Sequence, residues 1–230
     1  MSMEQFYALQ NGGKSPHLAY VIGVLLGDGC CYRMKETPHP RTGKPSFSWR
    51  IELAVKDQPF AQAFAHSIGC ILRRPDSKHR DVKILLTNRV SQKYRVCMAS
   101  KSFGEWWQGI KDNPEAIKAV IGVNPRQFLR GLYDSEGNLC WSKTGPLVRI
   151  FNQRQEILDL AIFCLVLLGM RAHIRIFRQA GTVVRFPNGT KYTTSKALYV
   201  IDPKPARQFI AEIGSNIPKK IAIESNPYHK

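Results

Sequence analysis

Two acidic residues stand at matching places in two similar segments of this 230-residue chain. Asp28 precedes Gly29 at the end of the segment VIGVLLGDG, and Glu136 precedes Gly137 at the end of LRGLYDSEG. The two segments align without a gap. Two carboxylates that are brought together repel each other, and a divalent cation relieves that repulsion. The repeat therefore predicts a paired-carboxylate site for a metal ion.

Small residues recur four positions apart in both segments: Gly23 and Gly27 in the first, Gly131 and Ser135 in the second. Residues four apart share one face of a helix, so each segment predicts a helix with a smooth strip that another helix can approach closely. The first helix is apolar nearly all round, which predicts burial on several sides. We expect the glycine after each acid to end its helix in the left-handed conformation.

The remaining pattern places the same elements in the same order in each half. Residues Ser46–Lys56 alternate between apolar and polar side chains, which is typical of a strand with one buried face. Similar patterns predict further strands at Cys30–Glu36, Val82–Thr87, Lys93–Ala99, Asn138–Ser142, Leu147–Asn152, Ala172–Arg178, Val183–Phe186 and Lys191–Ile201. They predict helices at Asp57–Gly69, Ser102–Lys111, Gln155–Leu168 and Pro205–Ile213. The order is αββαββα twice, in halves 1–112 and 127–230 with a linker at 113–126.

The charge of the chain restricts its partners. Lys and Arg number 34 against 17 Asp and Glu, a net charge of +17, and such an excess repels itself unless a polyanion neutralises it. Nucleic acid is the expected partner. The longest apolar runs, Leu18–Leu26 and Leu160–Met170, are far shorter than the roughly 20 residues of a membrane span. We expect a soluble protein inside the cell, in the cytoplasm, the nucleoid or an organelle.

The cysteines and histidines lack the spacing of common zinc motifs. Six cysteines include no C-x-x-C pair, and six histidines include no H-x-x-x-H pair. The sequence therefore predicts no zinc site, and we expect most cysteines to be small buried side chains.

The segments Val21–Gly29 and Leu129–Gly137 resemble the signature nonapeptide of the LAGLIDADG homing endonucleases, in the monomeric two-repeat form. Two copies at domain-length separation, each with an acid, make the resemblance specific. It implies an α+β fold of two pseudo-symmetric halves, each with a four-stranded antiparallel sheet, packed through the two motif helices. It also implies a site-specific enzyme that hydrolyses both strands of a long, non-palindromic DNA with the help of metal ions.

The resemblance further implies which residues form the site. Asp28 and Glu136 would hold the catalytic ions, with Gly27 and Ser135 as further members of the metal site. Magnesium is the expected ion, because carboxylates suit hard cations, and manganese or calcium can occupy such a site.

Residues at the end of the second strand of each half complete the catalytic set that the resemblance implies. Val55 stands where the family often has a polar residue, so the first half departs from the pattern there. Placement on a solvated strand is the alternative for two of the candidates, Lys56 and Gln153. The candidates around the attacking water are Lys56, Asn152 and Gln153.

A basic sheet face in each half would fit along a major groove, where base edges present distinguishable donors and acceptors. Any single candidate can equally be a phosphate contact or a solvated charge. The candidates for DNA binding are Arg33, Lys35, Arg41, Lys44, Ser48, Arg50, Arg73, Arg74, Lys78, Arg80 and Lys83 in the first half. In the second half they are Trp141, Lys143, Arg149, Arg175, Arg178, Arg185, Lys191 and Lys196.

Competing functions remain open. The two halves differ at most strand positions, which favours a monomer on an asymmetric target rather than a symmetric homodimer. No Glu-x-Lys pair of restriction-type nucleases is present, and a free-standing, intron-encoded enzyme fits the chain better than an intein. The alternative is an RNA maturase, with intron RNA as partner, or another non-cleaving nucleic-acid-binding protein on the same fold.

Overall fold

The chain folds into two halves that share the order αββαββα, and the second half contains an additional two-stranded hairpin. The computed structural model describes residues 15–36, 46–72, 83–87, 91–186 and 188–223. The first half consists of α1 (Pro16–Leu25), β1 (Cys30–Glu36), β2 (Ser46–Val55), α2 (Gln58–Ile71), β3 (Lys83–Thr87), β4 (Ser91–Ala99) and α3 (Lys101–Ile110). Helix α4 (Pro114–Ile121) follows. The second half consists of α5 (Pro125–Glu136), β5 (Gly137–Ser142), β6 (Gly145–Asn152), α6 (Gln155–Leu167), β7 (Ile174–Arg178), β8 (Val183–Arg185), β9 (Lys191–Thr193), β10 (Leu198–Ile201), α7 (Ala206–Glu212) and a 3-10 turn (Pro218–Lys220).

Each half contains one four-stranded antiparallel sheet, which confirms the predicted architecture. The strand orders, β1-β2-β4-β3 and β5-β6-β10-β7, correspond strand for strand. In both sheets, the first two strands form a hairpin and the next strand of the sheet lies at the opposite edge. The last strand of the sheet then inserts between the hairpin and that edge strand. The matching orders make the two halves pseudo-symmetric.

The single strand predicted over Lys191–Ile201 is wrong. Its first part, β9, pairs with β8 in a separate two-stranded hairpin, whereas its last part, β10, pairs with β6 and β7. The chain therefore has to leave one sheet and enter another between Thr193 and Leu198. Alternating polar and apolar residues do not reveal which sheet a strand joins.

Helix α1 is the centre of the core. All residues from Leu18 to Leu25 are buried, as its apolar sequence predicted, and its most extensive packing is against α5. A Cβ atom at Gly23 would overlap the Phe128 carbonyl oxygen and lie 2.7 Å from the Leu132 nitrogen. The two backbones touch at this point, so the contact requires residues without side chains.

The glycines after the acids serve a different purpose from the predicted one. Gly137 has φ −85° and ψ 153°, which is extended, and Gly29 is not in the left-handed region either. A Cβ at Gly137 would overlap the Tyr133 ring, and one at Gly29 would lie 3.0 Å from the Val24 carbonyl oxygen. In each half, the strand begins at or directly after the glycine. The glycine therefore leaves room for neighbouring atoms of its own helix and does not form a helix-ending turn.

The region predicted as a linker contains a helix. Asn113 caps α4, its side chain accepting a hydrogen bond of 3.1 Å from the Ala116 amide, and Pro125 begins α5. Among the described residues, no helix has the length and apolar character needed to cross a membrane. The division at 113–126 stays a prediction.

The cysteines differ from expectation. Only Cys164 is buried, and the other five are half-buried or exposed. Cys30 and Cys97 flank Glu52 in the register of the first sheet, on the face that no helix in the described part of the chain covers. Strand alternation, which the local apolar composition obscured, places them there.

Gly23→Ala tests the contact between α1 and α5. The added Cβ meets backbone atoms that cannot move aside, so the free energy of unfolding should fall by at least about 2 kcal/mol. Gly109→Ala is the matched control, because a Cβ at this helical glycine meets nothing within 4 Å. It should be neutral or stabilise the protein by up to about 1 kcal/mol. Urea unfolding measures both, and equal effects would contradict the close contact.

Candidate metal and nucleic-acid site

The two predicted acids lie at the ends of the two packed helices. Asp28 is in the turn after α1, and Glu136 is the last residue of α5. The close contact continues to this point, since a Cβ at Gly27 would lie 2.5 Å from Ser135 Cβ and 3.1 Å from Glu136 Cγ. The Ser135 hydroxyl donates to the Gly131 carbonyl at 3.2 Å. The helix pair therefore brings one carboxylate from each half to a common place.

Burial opposes ionisation of both acids. Solvent reaches Asp28, yet the surrounding protein removes part of its hydration and raises its pKa, while Lys220 and Lys93 lower it. For the half-buried Glu136, burial and then the charge of Asp28 raise the pKa to about 7, and Lys220 opposes the rise. Glu136 thus keeps a proton up to about pH 7, and below that pH a bound cation would have to displace it.

Lys220 is a site residue that the sequence did not reveal. Its Nζ donates to the carbonyls of Tyr133 at 2.9 Å and of Asp134 at 2.6 Å, and the Tyr133 hydroxyl donates back to the Lys220 carbonyl at 3.0 Å. Burial lowers the pKa of Lys220, while Asp134 and then Asp28 raise it. The ammonium therefore satisfies carbonyls in the last turn of α5, where a cation is favourable. It also places positive charge beside the acids.

A buried carboxylate fixes the segment that carries Lys220. Asp134 is 1% exposed and accepts hydrogen bonds from the hydroxyls of Tyr20 at 2.8 Å and Ser215 at 2.5 Å. It also accepts from the backbone and side-chain amides of Asn216, at 3.0 and 2.7 Å. This network joins α1, α5 and the segment after α7. The sequence pattern had assigned no role to Asp134 or to residues 215–230.

The three candidates at the ends of the second strands differ in their surroundings. Lys56 and Gln153 are exposed just after β2 and β6. Asn152 is 7% exposed, and its amide donates to the Leu26 carbonyl at 3.5 Å while its oxygen accepts from the Arg154 amide at 2.9 Å. Val55 is buried, so Lys56 is the polar residue at this place in the first half. The roles of Lys56, Asn152 and Gln153 around the attacking water stay predictions.

Two curated relatives match this chain in sequence. Both are uncharacterised proteins of Methanocaldococcus jannaschii, 29% identical over 167 and 168 residues. The matches cover 70% and 73% of this chain but 57% and 54% of the relatives. The chain thus spans about half the length of these relatives. No family model matches the sequence.

Solved structures match the chain over most of its length. Variants of the homing endonuclease I-DmoI give a TM-score of 0.57 at 22% identity, covering 86% of this chain and 96% of theirs. I-DmoI in complex with DNA and calcium gives 0.59 at 20% identity, covering 90% and 96%. The corresponding complex with manganese gives 0.57 at 22%, covering 87% and 97%.

The chain has the LAGLIDADG homing endonuclease fold. The fold expected from the two nonapeptides is thereby confirmed. Its structural neighbours have been solved with DNA and with manganese, calcium or magnesium.

In the first LAGLIDADG half, one face of the sheet is covered by none of the described helices. This face, called the first open face, carries Tyr32, Arg50, Glu52, Lys93 and Arg95, according to the strand register. Arg95 donates to Glu52 Oε2 at 2.7 Å, and the Tyr32 hydroxyl donates to the same oxygen at 3.0 Å. Glu52 on β2 therefore orients an aromatic side chain from β1 and a basic side chain from β4. Lys93 and Arg95 were not among the predicted DNA contacts.

Two predicted contacts of this half lie on the other side of the sheet. Arg33 and Lys35 pair with Trp49 and Phe47, and directly paired residues share a face. The Arg33 guanidinium lies 3.9 Å from the centroid of the Phe47 ring. Both basic residues are exposed but stand on the helix side, at the end of the hairpin.

In the second LAGLIDADG half, Arg149, Arg175 and Asp202 lie on the sheet face away from the described helices, called the second open face. Arg175 contacts Asp202 at 2.8 Å and Arg149 contacts it at 3.3 Å. Phe151 and Phe177 pack edge to face on adjacent strands, with centroids 5.0 Å apart. The sequence had predicted both arginines but not the acid that fixes them.

The remaining candidates are spread over edges and loops. Arg178 donates to the Tyr192 hydroxyl at 2.9 Å and so joins β7 to the β8–β9 hairpin. Ser48 and Trp141 are half-buried on strands, and Lys143, Arg185, Lys191 and Lys196 are exposed. Of Lys83, only the backbone in β3 is described. The predicted contacts Arg41, Lys44, Arg73, Arg74, Lys78 and Arg80 lie outside the described residues.

Glu136→Gln should stabilise the metal-free protein at pH 8 but not at pH 5. The pKa of Glu136 in the folded protein, about 7, lies above its ordinary value of 4.5. The stability that its neutral form contributes is complete below about pH 4.5 and lost as pH rises through about 7. Glutamine stays neutral, so the gain at pH 8 should be about 1–2 kcal/mol after solvent screening.

Calorimetry in chelator measures this gain, which corresponds to about 2–4 °C per kcal/mol in a chain of this size. Glu156→Gln is the control, because the hydrogen bond from Arg154 lowers the pKa of Glu156 and no gain is expected. An equal shift at both pH values would refute the coupling.

Proposed function

We propose that this protein is a site-specific DNA endonuclease that hydrolyses both strands of a long, non-palindromic duplex. The observation that carries the proposal is the pair of carboxylates, one from each half, at the ends of two helices whose backbones touch. Each acid stands just before the first strand of a sheet with an open basic face. One catalytic group is thereby linked to one recognition surface in each half.

The donor set fits a hard divalent cation. Asp28 and Glu136 offer carboxylate oxygens, and burial raises the pKa of both acids although Lys220 opposes the rise. When bound there, magnesium would stabilise negative charge on the reacting phosphate and lower the pKa of water. Manganese and calcium share the preference for oxygen ligands.

The cations of the chain act on the same region. Lys220 favours the ionised form of both acids and Lys93 favours that of Asp28, and both lysines attract a phosphate group. Lys56 and Gln153 are exposed at the strand ends, where they can orient water and stabilise developing charge. The buried Asn152 has its polar atoms engaged with Leu26 and Arg154, so we assign it to holding the two halves together at this place.

The proposed substrate is double-stranded DNA. The net charge of +17 supports phosphate binding, and the first and second open faces present arginines that suit the major groove. The two faces carry different residues, so the target should be asymmetric and the protein should act as a monomer. We extend the proposal to an intron-encoded homing enzyme that works inside the cell. No described residue specifically favours the alternative role with intron RNA.

Cleavage of a plasmid library that carries candidate insertion sites tests the proposal. The protein should linearise one long asymmetric site with magnesium and not with chelator. Asp28→Asn and Glu136→Gln should each lower double-strand cleavage by at least about 100-fold, leaving at most nicked product. Tight binding to DNA or RNA without cleavage, across a library that contains the true site, would overturn the endonuclease assignment and support an RNA maturase or another non-cleaving nucleic-acid-binding protein.

Lys220→Met tests the role of the buried lysine. Removal of its charge raises the pKa of both acids further, so half-maximal cleavage should move to higher pH and unfolding should become easier by about 2 kcal/mol. Lys220→Arg should restore part of the pH profile. Lys219→Met is the matched control, because Lys219 is exposed and contacts Asp57 at 3.2 Å. An unchanged pH profile in Lys220→Met would remove Lys220 from the site.

A further inference from the structure

A cluster of potential metal ligands joins α1 to α2, apart from the acids. His17 lies in the first turn of α1, and His66 and Cys70 lie four residues apart on α2. One ligand atom from each of the three lies within 4.8 Å of the others. Cys70 Sγ is 3.6 Å from His66 Nε2, and the two imidazole rings meet edge to face with centroids 5.2 Å apart.

We propose that His17, His66 and Cys70 form a zinc site that fastens the start of α1 to α2, with water as a fourth ligand. Imidazole nitrogen and thiolate sulfur are the ligands that zinc prefers, and they select against magnesium and calcium. The site is therefore chemically separate from the carboxylate pair. The sequence did not reveal it, because the pair on α2 is mixed in type and the third ligand comes from another helix.

The surroundings of His17 suit a ligand. Its Nδ1 is 3.3 Å from the hydroxyl of Ser67, a residue only 6% exposed, which leaves Nε2 directed elsewhere. Metal-binding histidines commonly use their second nitrogen in such a hydrogen bond, which fixes the ring.

The geometry needs only small adjustments. In a tetrahedral zinc site the ligand atoms lie about 3.3–3.7 Å apart, a range that includes the 3.6 Å between Cys70 and His66. A pair at the limit of 4.8 Å would have to close by about 1 Å, a distance within reach of side-chain rotation. Exposure of His66 also gives an ion a path from solvent.

The position explains what the ion would do. His17 and Asp28 stand near opposite ends of α1, at least about 12 Å apart along the helix, so the ion would not meet the reacting DNA. It would hold α1, the central helix of the core, against α2. The expected role is to stabilise the fold rather than to take part in cleavage.

Cobalt substitution tests the site directly. Tag-free protein titrated with Co²⁺ should bind one ion with a sulfur-to-metal charge-transfer band in the near ultraviolet and tetrahedral visible bands. Cys70→Ser should lose the charge-transfer band, and His17→Ala and His66→Ala should each weaken binding at least tenfold. Cys140→Ser, which changes a half-buried cysteine elsewhere, should bind like the unmodified protein. A band that survives Cys70→Ser would overturn the proposal.

Two further experiments distinguish the zinc site from the site formed by Asp28 and Glu136. The double variant Asp28→Asn with Glu136→Gln should keep the cobalt spectrum unchanged even though cleavage is lost. The spectrum thus tests the zinc site, and cleavage tests the proposed function independently. Stoichiometric zinc should raise the melting temperature of the unmodified protein and of Cys140→Ser, but not of Cys70→Ser. Equal zinc stabilisation of all three would show that the ion binds elsewhere.

Discussion

The contact between the backbones of α1 and α5 is the constraint on which the molecule depends. It exists because Gly23 and Gly131 have no side chains, so that each helix reaches main-chain atoms of the other. The same two helices carry the acids at their ends and lead into the two sheets. A bulkier residue at Gly23 or Gly131 would push the two helices apart. Because the core is tightly packed, the two carboxylates and the two recognition faces would move apart with them.

This close approach has an electrostatic cost that the rest of the site offsets. It places Asp28 and Glu136 near each other in a partly dehydrated region, and the pKa of both rises. Lys220 reduces the cost from the end of α5, and the Asp134 network holds the segment that carries it. The ionised forms of Asp28 and Glu136 are still disfavoured in the metal-free protein. A divalent cation would stabilise them at the place where the proposed enzyme would act.

The two open faces show how one architecture can serve two different DNA half-sites. In the first sheet Glu52 holds Arg95 of a neighbouring strand in a fixed position, and in the second sheet Asp202 holds Arg149 and Arg175. Such pairs limit the freedom of the arginines before DNA arrives, which lowers the entropy cost of binding. The side chains around the two acids differ, so the faces present different donors while the backbone remains pseudo-symmetric.

The sequence by itself determined the architecture and the acid pair. The four-residue spacing of small residues predicted the helix contact, and the alternation of polar and apolar residues predicted most strands. The duplicated segment identified Asp28 and Glu136. These signals could be read because they are local and repeat. Tertiary structure alone decided that Lys220, Lys93 and Asp134 belong around the acids and that the two histidines meet Cys70. It also decided that Arg33 faces the helices and that β9 and β10 join different sheets. Such pairings connect residues far apart in the chain, and their formation depends on packing and register that no local pattern encodes.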